Sequence, residues 1–340
     1  MNRCNHQIAI LYNEDGQVTR GDPQDLLAVQ CTITATKNLY EALTSLDYQV
    51  VKIAVKGDLA ELEDSLCSYS PRETFFFNNC DGFNGDNMGA VEVIRLIERM
   101  GFKHTGATAD SIELCIDKPR AKKQLMQFGV PTPKFQVFDK AEGQFQLEFP
   151  VIVKPSIEDA SMGIDLCSVV SNLPDMYNRI AYIIEEYEQP AMVEQFVGGR
   201  ELAVAMWGNK ALEILPIAED DFSAIPDPLQ HVLTYESKWK PESTFAQNIP
   251  SRIPALLNRK EEQTIRKIAE NTFRAVGLRD FGRVDIRFDN KIPYIIDINE
   301  LPDLSPDAGF WSQARVAGLT YPQMVERILI HALKREGWME

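Results

Sequence analysis

Apolar positions in the first third of the chain form strand-like runs that alternate with stretches of helical spacing. The runs lie at 8–12, 49–55 and 74–77, and a helix is predicted around 39–46, between the first two. After the third run, the loop NNCDGFNGDN leads into residues 88–100, where apolar side chains recur three or four positions apart. A strand, helix, strand, loop and helix in this order predict a βαβ unit with a parallel sheet.

Two further units complete the chain. Their predicted helices cover 119–128, the residues around 180–184, and 260–276, and their predicted strands cover 149–154, 191–197 and 201–207. The polar segment 219–252 has 34 residues, which is long for a connection and suggests a functional lid. The pattern predicts an α/β fold, with α+β character in its later part, and three domains at 1–117, 118–199 and 200–340.

The sharpest chemical signal is a pair of neighbouring strands, FGRVDIRFD and IPYIIDINE. Apolar and polar side chains alternate in both: the apolar set is Val284, Ile286, Phe288, Tyr294, Ile296 and Ile298, and the polar set is Arg283, Asp285, Arg287, Asp297 and Asn299. Because the DNK sequence between them consists of turn formers, the strands should pair as a hairpin. An odd-length loop would place Asp285 opposite Asp297 and Arg283 opposite Asn299.

Such a hairpin brings two carboxylates and an amide oxygen together. Carboxylates this close repel each other unless a cation lies between them. Hard oxygen ligands of this kind suit Mg²⁺ that is bound jointly with substrate phosphates. The alternative is an exposed polar face on a surface hairpin, although the apolar residues that flank Asp297 argue for burial.

Two lysines and a loop of small residues have positions that suit phosphate binding. Lys154 ends an apolar strand, and Lys118 starts a helix. The loop after Lys154 contains Ala160, Ser161 and Gly163, which let backbone amides approach phosphate oxygens closely. Taken alone, each lysine is more simply explained as solvated, and the loop as an ordinary connection.

Two glutamates flank the glycine turn in VEQFVGGREL. Glu194 lies at the end of an apolar strand, and Glu201 follows the turn. A glutamate at a strand end can hold ribose hydroxyls, and the neighbouring backbone can hydrogen-bond the edge of an adenine. By itself this signal is weak, because most glutamates in such places are merely exposed.

Composition and missing motifs narrow the function classes. The chain has 340 residues, with 35 Lys plus Arg against 50 Asp plus Glu, and the net charge of −15 disfavours nucleic acid as a partner. No apolar run is long enough to span a membrane and no secretory signal is recognised, so a cytoplasmic protein is predicted. The six cysteines lack C-x-x-C spacing, which predicts free thiols rather than a zinc site. P-loop, Rossmann and nucleophile-elbow motifs are absent, and the four histidines are scattered.

The ordered set of motifs resembles the ATP-grasp superfamily, and within it the D-alanine–D-alanine ligase-like branch. In chain order the motifs are FNNCDGFNGDN, HTGATADSIELCIDK, VKP, EQF with GRE, YESK, RVDIRF and DINELP. The resemblance covers roughly residues 70–320. It implies an N-terminal preATP-grasp domain with a parallel sheet, followed by two α+β subdomains that hold ATP between them.

Carried over position by position, the resemblance implies contacts to ATP and to two Mg²⁺ ions, with Mn²⁺ as a substitute. The implied residues are Lys118, Lys154, Lys238 and Ser161 for the phosphates; Glu194, Gln195 and Val197 for the adenine hinge; Glu201 for the ribose; Asp285, Asp297 and Asn299 for the metal; and Arg283, with Lys154 and Lys238, for catalysis. The small-residue loop and the segment 219–252 would close over the site and keep water from a labile intermediate.

The substrate side departs from the family pattern. Ala160 and Ala308 stand where this branch has serines, and Asp303 stands where it has a glycine. Trp239 replaces a tyrosine, and the segment LYNEDGQVTRGDPQDLLAVQ has no glutamate that matches the family's amine-binding motif. Asp303, Trp239 and Asp81 are therefore the substrate candidates. Acidic groups there would repel a free carboxylate and tolerate an amine.

These observations favour a Mg²⁺-ATP-dependent carboxylate–amine ligase that forms an amide through an acyl phosphate. Its partners would be small amino-acid, peptide or natural-product substrates, without nucleic acid or membrane, and the family suggests a homodimer. One alternative is a true D-alanine–D-alanine ligase of cell-wall synthesis. Another is a non-catalytic nucleotide- or peptide-binding protein of the same fold, against which the retained metal-site residues argue.

Overall fold

Three β-sheets, each packed against helices, make up the structure, which is a computed structural model that describes residues 6–14, 21–22 and 31–339. The first sheet is parallel, and the second and third are antiparallel. The predicted α/β fold with a parallel N-terminal sheet is therefore confirmed.

The structure gives one finding on membrane-spanning helices and one on thiol chemistry. Of the helices within the described ranges, none combines the length and the apolar character needed to cross a membrane. The described cysteines Cys67, Cys80, Cys115 and Cys167 are free thiols, as predicted. Cys4 and the side chain of Cys31 lie outside what the structure describes.

The first sheet has the strand order β2-β1-β3-β4. Its elements are β1 (Gln7–Asn13), α1 (Cys31–Ser45), β2 (Gln49–Val55), α2 (Leu59–Leu66), β3 (Thr74–Asn79), α3 (Met88–Arg99), β4 (Lys103–His104) and α4 (Ala109–Ile116). All three predicted strands and both predicted helices are present. The pattern does not predict α2, β4 or α4, because each is too short to show more than about two turns of periodic signal.

The second sheet has the order β5-β8-β6-β7. After α5 (Lys118–Gln127), its elements are β5 (Phe135–Phe138), β6 (Val151–Pro155), β7 (Val169–Val170), α6 (Leu173–Tyr187) and β8 (Ala191–Gln195). Helix α6 begins at Asn172, whose side chain accepts a hydrogen bond from the backbone of Asp175. Its apolar side chains Met176, Ile180 and Ile183 are fully buried against the sheet. The helix predicted around 180–184 thus packs over one face of this sheet.

The third sheet has the order β12-β11-β9-β13-β14, with β10 also paired to β9. Its elements are β9 (Arg200–Gly208), β10 (Leu212–Ile214), β11 (Ala218–Asp220), α7 (Tyr235–Trp239), α8 (Thr244–Gln247), β12 (Ser251–Arg252), α9 (Arg259–Ala275), β13 (Asp280–Phe288) and β14 (Pro293–Asn299). Helix α9 starts with a capping box between Asn258 and Glu261 and buries an apolar stripe of Ile265, Ala269 and Phe273. The predicted lid segment is folded around its own small core of apolar side chains.

The hairpin of β13 and β14 has the predicted facing pairs. Asp285 lies opposite Asp297, and Arg283 lies opposite Asn299. All four side chains belong to the same face of the sheet, because they alternate with the buried residues Val284 and Ile298.

The turn of this hairpin differs from the prediction. Ile286 pairs with Ile295, so the loop is the even-length stretch 289–292, and Ile296 is the extra residue of a β-bulge. The bulge turns both Ile295 and Ile298 into the core. The alternation that placed Tyr294 and Ile296 on the buried face is therefore wrong beyond the bulge, and Ile296 lines a cavity instead.

The last two helices return to the first sheet. They are α10 (Gly309–Val316) and α11 (Tyr321–Arg335), and α11 packs against α1. Met324 and Ile328 lie in the same core as Ile8 and Phe75, which the first sheet turns toward them. Residues of α11 thus complete the apolar core on one face of the first sheet.

Asp280 joins these distant parts through its buried carboxylate. The carboxylate accepts hydrogen bonds from the backbone of Gly106 at 2.9 Å and from Asn209 Nδ2 at 3.0 Å. Arg335, near the end of α11, donates two more, at 2.9 and 2.8 Å. Because Asp280 is fully buried, its negative charge depends on these partners for the hydration it has lost.

Replacing Arg335 with leucine should therefore destabilise the fold by about 3 kcal/mol, because the carboxylate of Asp280 would stay buried without its cation. Urea unfolding of wild type and variant measures this. The control is Arg99→Leu, which removes a half-exposed ion pair to Glu63 and should change stability by less than about 1 kcal/mol. Equal losses in the two variants would contradict the importance of the Asp280 cluster.

Candidate active site

A cavity of about 540 Å³ lies between the second and third sheets. Its lining comes from β6 and β8 on one side, from β9, β11, β13 and β14 on the other, and from the loop 158–163 and α10. Twelve of the fifteen residues singled out from the sequence line it: Lys118, Lys154, Ser161, Glu194, Gln195, Val197, Glu201, Lys238, Arg283, Asp285, Asp297 and Asn299. A concave site of this size suits a small-molecule ligand.

The third sheet forms the floor of the cavity with side chains from alternate positions on its strands. Cross-strand register groups them into three rows: Asn299 and Arg283; Asp297, Asp285, Ala203 and Ala218; and Arg287, Glu201, Asp220 and Ser251. The small alanines lie between charged groups and leave the space above the middle of the sheet open.

Arg283 and Asp285 form the centre of this floor. The guanidinium donates to both carboxylate oxygens, from Nε at 2.8 Å and from Nη2 at 2.9 Å, and Asn299 Nδ2 donates to the same carboxylate at 3.0 Å. Burial alone would lower the pKa of Arg283, but the charge of Asp285 outweighs it and raises that pKa. Arg283 thus stays positively charged inside the cavity.

Lys118 connects the second unit to the hairpin. Its Nζ lies 2.8 Å from Asp297 Oδ1 and 3.4 Å from Asp159 Oδ1. Burial would raise the pKa of Asp297, but the charges of Lys118 and Lys154 outweigh burial and lower it. The pKa of Asp159 is raised, chiefly by burial. Asp297 therefore stays negatively charged to a lower pH than Asp159 does.

The donor set of Asp285, Asp297 and Asn299 fits a hard divalent cation. Two carboxylates face each other across the hairpin, and the amide oxygen of Asn299 is not used in its bond to Asp285. Within the described residues, no group of three His, Cys, Asp or Glu side chains could hold a metal without other ligands. A cation here would therefore need further oxygens, such as those of a phosphate-bearing substrate.

Lys154 and Glu194 meet in a buried cluster with a second lysine. Glu194 Oε2 lies 2.8 Å from Lys122 Nζ and 3.4 Å from Lys154 Nζ. Lys122 also donates to Thr132 Oγ1 at 2.7 Å. Burial lowers the pKa of Lys122 to about 8, although the charge of Glu194 opposes the shift. The carboxylate of Glu194 is thus occupied by two lysines. A ligand at this end of the cavity would therefore meet the backbone next to Glu194 and not its carboxylate.

Glu201 is paired with Arg287, whose Nη2 lies 2.7 Å from Glu201 Oε2. The same nitrogen donates to the backbone oxygen of His231. The Arg287 guanidinium also lies 5.4 Å from the ring centre of Phe196 and 5.5 Å from that of Phe222. Arg287 therefore joins the floor of the cavity to the folded lid segment.

The lid segment also contributes Lys238 and Trp239. Much of the Lys238 side chain is exposed, but it lines the cavity, where loss of hydration and the charge of Arg283 lower its pKa. In the part of the chain that the structure describes, no carboxylate lies within ion-pair distance of Lys238. Trp239 Nε1 donates to Ala160 O at 2.9 Å, so it holds the small-residue loop rather than lining the cavity.

That loop has unusual backbone angles. Ala160 and Ser161 have φ values of 55° and 62°, in the left-handed region that side chains other than glycine rarely adopt. Gly163 follows at φ 71°, and a Cβ there would lie 2.6 Å from Pro155 Cγ. The shape of the loop thus requires the glycine at position 163, whereas Ala160 and Ser161 adopt their backbone angles under strain.

Two more predicted substrate residues lie away from the cavity. The Asp303 carboxylate accepts bonds from the backbone N–H of Ser305 at 2.8 Å and from its hydroxyl at 2.7 Å, which shapes the turn after β14. Asp81 follows β3, and its backbone N–H donates to Asn13 Oδ1 at 3.3 Å. Most of the segment LYNEDGQVTRGDPQDLLAVQ lies outside the described residues, so its predicted departure from the amine-binding motif has no structural counterpart here.

Sequence reasoning also missed several cavity residues and their partners. Arg287 continues the alternation of Arg283 and Asp285, and Lys122 lies one helical turn after Lys118, so both positions carried a periodic signal. Asp220, in the predicted lid segment, carried no periodic signal. Its half-buried carboxylate lies beside Glu201, and burial and that negative charge raise its pKa to about 7.

Comparison with known proteins gives a consistent result. The family described as D-ala D-ala ligase C-terminus matches residues 125–330. The protein y4sG of Sinorhizobium fredii is 34% identical over 261 residues, which cover 76% of this chain and 74% of y4sG. The D-alanine–D-alanine ligase of Desulforudis audaxviator is 30% identical over 303 residues, which cover 86% of this chain and 91% of the ligase.

Solved structures show the same fold. The D-alanine–D-alanine ligase of Bacillus anthracis complexed with ATP aligns with a TM-score of 0.74 and 18% identity, covering 98% of this chain and 99% of that one. The VanG D-Ala:D-Ser ligase of Enterococcus faecalis aligns with a TM-score of 0.71 and 18% identity, covering 96% and 99%. The arrangement of sheets around the cavity is thus that of the ATP-grasp fold.

Substituting Gly163 with alanine should strain the loop, because the backbone is left-handed there and the new methyl group would collide with Pro155. We expect a loss of about 2 kcal/mol in the free energy of unfolding. Gly198→Ala is the matched control, because a Cβ at Gly198 would meet nothing within 4 Å, and it should change stability by less than about 1 kcal/mol. An unchanged free energy of unfolding in Gly163→Ala would show that the loop accommodates the methyl group without strain.

Asp220→Asn should stabilise the protein at pH 8 but not at pH 4. The folded state raises the Asp220 pKa to about 7 from an unfolded value near 3.9, so the folded state binds more protons between these values. Wild-type stability consequently falls across that window, and the variant should gain on the order of 2 kcal/mol at pH 8 relative to pH 4.

Asp221→Asn is the control, and its expected effect on stability has the opposite sign. The Asp221 pKa is lowered by hydrogen bonds from Ser223 and by Arg252, so removing its charge should cost stability above the unfolded pKa. Thermal unfolding midpoints measured from pH 4 to pH 8 follow both variants. A pH-independent difference between wild type and Asp220→Asn would contradict the raised pKa.

Proposed function

Because this chain belongs to the D-alanine–D-alanine ligase family of ATP-grasp enzymes, whose members are ATP-dependent, ADP-forming ligases, we propose that it joins a carboxylate to an amine through an acyl phosphate. The observation that carries the proposal is that four cations and two facing carboxylates line a single cavity. These cations are Lys118, Lys154, Lys238 and Arg283, and the carboxylates are those of Asp285 and Asp297.

The lysines are proposed to hold the phosphates of ATP. Lys238 supports this role best, because its ammonium group has no carboxylate partner among the described residues and its pKa is lowered until an anion arrives. Lys118 and Lys154 currently neutralise Asp297 and Glu194, and a polyphosphate would share their charge. Ser161 would add its backbone amide or hydroxyl from the strained loop.

The base and the ribose are proposed to lie at the other end of the cavity. The backbone at Gln195 and Val197, next to the buried carboxylate of Glu194, would meet the edge of the adenine. Glu201 would bind the ribose hydroxyls with the oxygen that Arg287 does not hold. Ile152 and Ile296 line the same region and would pack on the base.

Asp285, Asp297 and Asn299 are the residues that would hold two Mg²⁺ ions, or Mn²⁺ in their place. When bound, the metal would neutralise the negative charge that develops on the transferred phosphoryl group. Arg283 and Lys118, which balance the carboxylates in the structure, would remain beside the ions and the phosphates.

The reaction has two balanced steps. A carboxylate oxygen of the first substrate attacks the γ-phosphorus of ATP, and the bond to ADP breaks. The amine of the second substrate then attacks the acyl carbon, inorganic phosphate leaves with the bridging oxygen, and the amine loses a proton. Arg283, at the centre of the floor, is placed to neutralise the oxyanion formed in the second step. Trp239 and the strained loop would help to exclude water from the acyl phosphate.

The substrates are proposed to be an amino acid, a peptide or a related small molecule. A D-alanine–D-alanine ligase is the second candidate, because ligases of that name align over most of this chain. Against it stand Ala160 and Ala308, which lack the hydroxyl groups of the serines they replace. The expected assembly is a homodimer.

The decisive test is ADP formation from Mg²⁺-ATP with D- and L-amino acids, dipeptides and related amines, offered singly and in pairs. Hydroxylamine should trap the acyl phosphate as a hydroxamate with the correct carboxylate even before the amine is known. D-alanyl-D-alanine formed from D-alanine alone would support the second candidate. Absence of both ADP and hydroxamate with every carboxylate would overturn the proposed function.

Lys154→Met and Asp297→Asn should each lower kcat/KM for hydroxamate formation by at least about 100-fold, because each removes charge stabilisation at the phosphoryl group. Lys210→Met and Asp289→Asn are the matched controls, the first at an exposed β-turn and the second in the hairpin loop. Both should keep wild-type activity within about twofold. Full activity in either cavity variant would contradict its assigned role.

A further inference from the structure

Arg287 is a buried cation that lies between the floor of the cavity and the lid segment. Its side chain is 4% exposed, it lines the cavity, and it pairs directly opposite Glu201 across β13 and β9. A charged group this deeply buried has lost its hydration, so its partners must hold it in place. The proposed function assigns Arg287 no contact with either substrate or with ATP.

One partner of Arg287 is Glu201, the residue proposed to bind the ribose. The Nη2 atom of Arg287 lies 2.7 Å from Glu201 Oε2, but this oxygen accepts no hydrogen bond from the described residues. The two groups are therefore in contact through their charges, without an aligned N–H···O bond. Burial raises the pKa of Glu201, and the charge of Arg287 opposes this rise more strongly than any other described group. Arg287 thus favours the ionised carboxylate, which accepts hydrogen bonds from hydroxyl groups.

Two other partners of Arg287 belong to the lid segment. The same nitrogen, Nη2, donates a hydrogen bond to the backbone oxygen of His231. The guanidinium also lies 5.5 Å from the ring centre of Phe222, and this ring stacks on the His231 imidazole with the ring centres 5.3 Å apart. Phe222 belongs to the small core of the lid segment, together with Ile225 and Ile249. Arg287 therefore contacts both the backbone and the core of the lid segment.

The contacts to Glu201 and to His231 depend on each other because a single nitrogen makes both. The guanidinium is planar and rigid, so Nη2 cannot move toward Glu201 without moving relative to the backbone oxygen of His231. A ribose hydroxyl that donates to Glu201 would fix the carboxylate, and the charge contact would then fix the guanidinium. Without that hydroxyl, the carboxylate keeps more rotational freedom, and so does the arginine.

The position of His231 matters for the site because the chain continues from it along the cavity. Val232 and Leu233, which follow it directly, line the cavity with apolar side chains. Helix α7 begins two residues later and carries Lys238, which is proposed to hold the phosphates. Fixing the backbone of His231 therefore places both the apolar cover of the site and the lysine of the lid segment.

We propose that Arg287 is a positioning residue that transmits the binding of the ribose to the lid segment. Hydroxyl groups held by Glu201 fix the guanidinium. The guanidinium in turn orders the lid segment through His231 and Phe222, and the ordered segment covers the nucleotide and brings Lys238 to the phosphates. The lid segment is thus held more firmly over a ribonucleotide than over a nucleotide without ribose hydroxyls. This inference rests on the proposed function, which assigns Glu201 to the ribose.

The first experiment measures backbone amide hydrogen exchange of residues 219–252 in the full chain with Mg²⁺-ATP and with Mg²⁺-2′,3′-dideoxy-ATP. Both nucleotides are saturating, as established by calorimetric titration, and no amino-acid substrate is present. In the wild type, ATP should slow exchange in this segment roughly fivefold more than the dideoxy nucleotide does. In Arg287→Met the two nucleotides should slow exchange equally, and the Kd for ATP should rise roughly tenfold.

Two results would overturn the inference. One is equal protection of the lid segment by the two nucleotides in the wild type, and the other is a wild-type difference that survives in Arg287→Met. Absence of ATP binding to the wild type would instead overturn the proposed function. The two failures are distinguishable, because the comparison of nucleotides starts from a protein that binds both.

Arg200→Met is the matched control. Arg200 also joins the third sheet to the lid segment, since it donates to both carboxylate oxygens of Glu219 at 2.6 and 2.7 Å, but neither residue lines the cavity. The control should therefore keep the difference between the two nucleotides, whatever stability it loses. Loss of the difference in Arg200→Met as well would show that any weakened attachment of the lid segment removes it, which would overturn the specific role of Arg287.

Two further variants test the two ends of Arg287 separately. Arg287→Lys keeps a cation beside Glu201 but lacks the planar group that reaches His231, so the affinity for ATP should recover more than the protection of the lid segment. Phe222→Leu leaves the pair with Glu201 intact and should reduce the protection by ATP while changing the Kd by less than about threefold. Wild-type protection in both variants would overturn the inference. The lysine variant takes the place of Arg287→Met in the first experiment if the methionine variant unfolds.

Discussion

The pairing register of β9, β13 and β14 is the constraint on which the cavity depends. A strand that slips by one residue turns every side chain to the opposite face. In β14 the bulge at Ile296 inserts one residue, so the core receives Ile295 and Ile298, and the cavity receives Asp297 and Asn299. In a regular strand of the same sequence without the bulge, the alternation that buries Ile295 would turn Asp297 into the apolar core as well. Bulges commonly serve to redirect side chains in this way.

Given that register, the electrostatics of the cavity follow from pairs that join separate elements. Asp285 is balanced within its own strand by Arg283, whereas Asp297 is balanced by Lys118 from α5. Glu201 is balanced by Arg287, which also holds the lid segment. An anionic ligand competes with these carboxylates for the same cations. Its arrival therefore changes the electrostatic forces between the second unit, the lid segment and the third sheet.

The sequence predicted most of the residues that line the cavity and few of the residues that support them. Asp285 and Asp297 could be paired because alternation has a period of two, and this period holds wherever strands are regular. It gave the wrong buried face for Ile296, because a bulge leaves no signature in residue type. Lys122 was not singled out, since its partner Glu194 lies more than 70 residues away in the chain. For Trp239, the sequence identified the position, but only the structure shows that it holds Ala160 instead of facing the cavity.

The return of α11 to the first sheet has a consequence for the order in which the protein is made. Ile8 and Phe75 leave the ribosome long before Met324 and Ile328, which share their core. While more than 200 residues are synthesised, this face of the first sheet is therefore covered by α1 without α11. The core on this face of the first sheet is thus completed only once α11 has been synthesised.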